Sequence, residues 1–75
     1  MRKRDFDGAI AEMQAALALY PLDAILHTNL GAALRHMGNT PAAVAAYERS
    51  MLLEPHEART PVYLAAALAE QGDLG

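Results

Sequence analysis

Apolar side chains recur along this chain in steps of three and four, the spacing that lays them along one face of an α-helix. Phe6, Ile10, Met13, Leu17 and Tyr20 form one stripe, and Ile25, Leu26, Leu30, Leu34 and Met37 a second. Val44, Tyr47, Met51 and Leu52 make a third, and Val62, Leu64 and Leu68, with neighbouring alanines, a weaker fourth. Breakers stand between the stripes: Tyr20-Pro21-Leu22-Asp23, Gly38-Asn39-Thr40-Pro41, Glu54-Pro55-His56-Glu57 and Gly72-Asp73. Thr40-Pro41 and Thr60-Pro61 carry the cap and first-turn chemistry of helix starts. Gly38 and Gly72 suit the left-handed position that closes a helix. The pattern predicts four helices joined by short turns, an all-α chain with no strand.

The stripes also repeat. A shift of 34 residues carries Pro21 onto Pro55, Gly38 onto Gly72 and Asn39 onto Asp73. The same shift brings Ala9 onto Ala43, Ile10 onto Val44, Met13 onto Tyr47, Leu17 onto Met51, Leu30 onto Leu64, Ala33 onto Ala67 and Leu34 onto Leu68. A set of coincidences at one offset marks a repeated supersecondary unit. Its middle copy reads His27-x2-Leu30-Gly31-x2-Leu34, then Ala43-x3-Tyr47, then Pro55. This resembles the tetratricopeptide repeat, a helix–turn–helix unit of about 34 residues. The first copy contributes Ala9-x3-Met13 and Pro21, and the third Pro61-x2-Leu64-Ala65-x2-Leu68. The resemblance implies antiparallel helix-turn-helix repeats stacked as a right-handed α-solenoid: a trailing half repeat over 1–23, a complete repeat over 24–57 and a leading half repeat over 58–75. His27 and Pro61 replace the usual bulky aromatic, and Leu34 and Leu68 the usual tyrosine, without disturbing the register. Gly31 and Ala65 fall where leading and trailing helices cross closely. Ala9 and Ala43 leave room for a neighbouring backbone.

Composition narrows the possibilities. Hydrophobic residues make up 53% of the chain, but 17 of the 75 residues are alanine, so the large apolar residues are expected to carry the core. An alanine-rich chain of this kind suits a GC-rich bacterial genome. A net charge of −3, with only Arg2-Lys3-Arg4 as a basic cluster, argues against nucleic acid as partner. That cluster is either the last turn of a preceding leading helix or an irregular basic start. With no cysteine there is no disulfide or thiolate metal site. No apolar run reaches the roughly 18 residues of a membrane helix. Asp5 and Asp7 stand where a signal peptide needs its apolar stretch. A soluble, cytoplasmic chain is expected.

In the family that the repeat resembles, leading helices line a concave groove that holds a peptide or a partner helix. The resemblance places Thr28, Asn29, Ala32, Arg35 and His36 on that face, with Arg59, Val62, Tyr63, Ala66 and Glu70. Some relatives clamp a C-terminal carboxylate with Asn and Lys/Arg. Asn29 and Arg59 stand at two of those positions, and Tyr63 replaces a third, basic one. His27, His36 and His56 lack metal-ligand spacing, and the carboxylates form no acid/base pair. Ser50 has no nucleophile motif around it. No metal, cofactor or catalytic residue is expected, and the partner is a protein or peptide.

The register runs trailing, leading, trailing, leading, a solenoid cut in mid-repeat whose ends lack caps. Phe6, Ile10 and Met13 at one end, and Leu64 and Leu68 at the other, are therefore candidates for self-association, head to tail or as a symmetric dimer. Three roles follow: a protein-binding scaffold, a self-assembly module, or an accessory segment of a larger enzyme.

Overall fold

In the computed structural model, which describes residues 3–72, the four stripes become four α-helices: α1 Lys3–Leu19, α2 Ala24–His36, α3 Thr40–Leu53 and α4 Arg59–Gly72. The described residues contain no strand. Asp23 caps α2, its carboxylate accepting the Leu26 N–H at 3.2 Å. His27 braces the turn before it, with Nε2 3.0 Å from the Pro21 carbonyl oxygen. The C-terminus of α2 closes in a Schellman motif: Gly38, at φ +88°, donates to the Arg35 carbonyl at 3.0 Å, and Asn39 to Leu34 at 2.9 Å. Only a glycine takes that φ without strain.

Three terminal expectations are corrected. Thr40 and Thr60 are not caps, because each lies inside its helix: α3 is preceded by Asn39 and α4 opens at Arg59. The carboxylate of Glu57 accepts the Arg59 N–H at 2.9 Å instead. Gly72 is the last residue of α4, with no left-handed φ. Lys3 and Arg4 lie in the first turn of α1 and so do not end a separate helix, while Arg2 and Asp73 fall outside the described residues.

The helices pack in sequence, α1 on α2, α2 on α3, α3 on α4. In addition α2 touches α4, whereas α1 and α3 do not meet. The stack therefore bends toward the side of α2 and α4, which becomes its concave face. Its shortest extent, 16 Å, is about what two helix layers give.

The core is smaller and more alanine-rich than composition suggested. Ala43, Tyr47 and Ala67 are wholly buried, with Leu34, Val44 and Leu64 packed against them. Other large apolar residues are only half-buried or lie outside. Tyr20, Ile25, Leu52 and Val62, all assigned to stripes, are 63–75% exposed. Ile25 and Leu26 are adjacent, hence about 100° apart on the helix, and only the Leu26 side turns inward.

Among the described residues, Tyr47 is the one large side chain sealed from water. Its ring fills the space Gly31 leaves: a Cβ built on Gly31 would stand 2.7 Å from both Cδ1 and Cε1. Burial pushes the Tyr47 phenol above its ordinary value, while the Arg35 guanidinium opposes the shift. Above about pH 10 the unfolded chain thus gives up a phenolic proton that the folded chain keeps, and stability falls as pH rises. Alkaline unfolding followed by far-UV circular dichroism should begin near that pH. The Tyr47→Phe variant should lose this component of the pH dependence, and an unchanged profile would contradict it.

Candidate functional site

On the concave face α2, α3 and α4 enclose an open pocket of about 160 Å³. Its inner wall holds three hydroxyls. Thr28 Oγ1 lies 2.6 Å from Ser50 Oγ and 2.9 Å from Thr60 Oγ1, and Ser50 Oγ donates to the Ala24 carbonyl at 3.0 Å. Each hydroxyl has one proton to give. Because Ser50 spends its proton on Ala24, Thr28 must donate to Ser50 and Thr60 to Thr28. A one-way chain of hydrogen bonds thus ties three helices together at the pocket floor. Ser50 and Thr60 are wholly buried, and no buried side-chain polar atom among the described residues lacks a partner. The lining also includes Ile25, Asn29 and Tyr63, together with the charged side chains of Glu54, Glu57 and Arg59.

Of the groove residues expected from the sequence, Thr28, Asn29, Arg59 and Tyr63 meet around this pocket. Thr28 contributes to the wall through its bonds to Ser50 and Thr60. Arg35 and Glu70 stand together elsewhere on the α2–α4 face, paired with each other at 2.8 Å. The hydrogen bond to Glu70 raises the Arg35 guanidinium above its ordinary value. His36 lies apart, its ring stacked on Phe6 of α1 with centroids 5.3 Å apart. Ala32 and Ala66 are half-buried, and Val62 is exposed; none of the three lines the pocket. Sequence reasoning missed Ser50, Thr60, Glu54 and Glu57. A serine interrupting the apolar stripe of α3 was the available signal for the floor. The two glutamates read only as parts of a turn.

Electrostatics limits what the pocket can hold. Arg59 lies 3.5 Å from Glu57, and Glu54 adds a second carboxylate to the lining. The lining therefore carries one negative charge more than positive. Among the described residues no group of three or more His, Asp and Glu gathers as a metal site. No helix among them is long and apolar enough to cross a membrane.

Residues 12–45 match the family model described as tetratricopeptide repeat. That window runs from within α1, through all of α2, into α3. The chain carries a tetratricopeptide repeat. Over 68 residues it is 38% identical to a Pseudomonas putida protein described as "Probable biofilm formation methyltransferase WspC". The alignment takes in 91% of this chain but only 16% of that relative. Tetratricopeptide repeats typically serve protein–protein interaction and are themselves non-catalytic.

Proposed function

We propose that this chain is a protein-binding scaffold that seats an extended peptide or partner helix on the α2–α4 face, with one partner side chain entering the pocket. The observation that supports it is the pocket itself. Its floor is a hydroxyl chain already satisfied within the fold, and its lining offers Asn29 and Tyr63 to a ligand. Glu54 and Glu57 favour a neutral or cationic side chain, because a carboxylate there would meet like charge. A carboxylate clamp through Asn29 and Arg59 is disfavoured for the same reason.

The relative supports an accessory role. The matched stretch is 16% of a protein described as a probable methyltransferase. By analogy this chain serves beside a catalytic or regulatory part and supplies the docking surface.

Fluorescence anisotropy against a set of amidated peptides carrying Lys, Gln or Glu at a central position tests this reading. Lys and Gln peptides should bind more tightly than Glu peptides. Asn29→Ala should weaken capture by roughly twofold to tenfold, the loss of one hydrogen bond. Tighter binding of the Glu series, or binding indifferent to Asn29→Ala and Tyr63→Ala together, would overturn it.

A further inference from the structure

The 34-residue offset makes two turns equivalent: Tyr20-Pro21-Leu22-Asp23 and Glu54-Pro55-His56-Glu57 occupy the same positions of the repeat. Between them lies a second open cavity of about 490 Å³, lined chiefly by Leu22, Asp23, Ile25, Leu53, Glu54 and His56. Ligand-holding pockets typically have roughly 300–1,000 Å³. Both turns lie inside the chain with a helix on either side, so the cavity arises from the stacking of one turn against the other. Ile25, Glu54 and Glu57 line this cavity and the pocket on the α2–α4 face alike. The two hollows therefore adjoin, and together they run from the concave face onto the turn edge of the stack.

The two turns bring different chemistry to the cavity. The first supplies Leu22, 70% exposed, beside Ile25 of α2, 69% exposed, and both gain by being covered. The second supplies Glu54 and Glu57. With Asp23 they give the lining three carboxylates and no lysine or arginine. Two of the three are engaged within the fold: Asp23 caps α2, and Glu57 holds the Arg59 N–H and guanidinium. Glu54 is exposed and forms no hydrogen bond or ion pair through its side chain with any described residue. An apolar wall thus stands beside a carboxylate with room for a cation. A bare ion would leave that apolar wall in water, whereas a side-chain pair covers both.

We propose that the partner is a basic protein segment with an apolar side chain next to a lysine or arginine, and that this pair seats in the turn-edge cavity. The apolar group covers Leu22 and Ile25, and the cation meets Glu54. This inference rests on the protein-binding reading above and adds a second anchor to it, outside the concave groove. An acidic segment would meet like charge in both hollows, and the chain's own net charge of −3 acts in the same direction.

The test uses fluorescein-labelled, amidated peptides in which a central lysine is flanked by Gly-Gly, Leu-Arg or Leu-Glu, on its N-terminal side in one set and its C-terminal side in another. In one of the sets the Leu-Arg peptide should bind at least about fivefold more tightly than its Gly-Gly counterpart, and Leu-Glu should lose that gain. The arginine's share of the gain should shrink as salt is raised. Leu22→Ser and Glu54→Gln, both at exposed positions, should each remove part of the gain, measured against the Gly-Gly peptide on the same variant. Circular dichroism verifies that each variant is folded. Equal binding of the Leu-Arg and Gly-Gly peptides would overturn the second anchor and leave the scaffold reading standing. A gain that survives both substitutions together would place the anchor elsewhere and overturn it too. If no lysine peptide binds at all, the scaffold reading fails and this inference with it.

Discussion

Tyr47→Ala is expected to cost about 3–5 kcal/mol, the range for emptying a buried aromatic site. A chain of 75 residues has a total stability of roughly 4–11 kcal/mol, so much of the population should unfold at moderate temperature. The loss is concentrated because, among the described residues, the core holds no second large buried side chain: the other wholly buried members of its cluster are Ala43 and Ala67. The ring also touches both neighbouring helices, lying over Gly31 of α2 and 6.0 Å from the Tyr63 ring of α4. Its removal therefore opens two interfaces at once. Tyr20→Ala is the control. Tyr20 is 63% exposed, and the change should stay within about 0.5 kcal/mol. Urea unfolding of the two variants separates them, and similar midpoints would refute the assignment of Tyr47 as anchor.

Gly31→Ala is the second large effect, and its sign runs against helix propensity. An alanine in mid-helix should gain about 0.5–1 kcal/mol over glycine. Against this, the new Cβ would lie 2.7 Å from two carbons of the Tyr47 ring and 3.1 Å from a third. The ring is sealed on all sides and cannot step back without displacing α3. Overpacking of this kind costs about 1–3 kcal/mol, so the variant should be destabilised despite its better propensity. Combining Gly31→Ala with Tyr47→Met replaces the rigid ring with a slimmer, flexible side chain that leaves room for the new Cβ. The double variant should recover part of the loss, with a coupling of roughly 0.5–3 kcal/mol in the thermodynamic cycle. A Gly31→Ala chain more stable than the parent would show that the ring is not held against α2.

Much of this was legible in the residues. Four helices, their turns and the 34-residue offset follow from periodicity and breakers, because helix geometry is local. The requirement for a small residue at Gly31 was legible too, through its place in the repeat. Which stripe member faces inward was not. Ile25 and Leu26 are both apolar, and only the crossing of α2 with α3 decides between them. The role of Thr60 was misread for a related reason: Thr before Pro is a local signal for a cap, but the partner that claims its hydroxyl, Thr28, lies 32 residues away. Arg35 and Glu70 each read as free groove charges until the fold set them 2.8 Å apart.

The sequence by itself determined the helices, the repeat and the leading helices that share one face, since each depends on spacing within a turn or on self-similarity along the chain. Tertiary structure alone decided that Tyr47 anchors the core, that Thr28, Ser50 and Thr60 join into one hydrogen-bond chain, and that Asn29, Arg59 and Tyr63 meet around a pocket also lined by two glutamates. Those are contacts between residues far apart in the chain. Packing selects them from many combinations that local spacing leaves equally open.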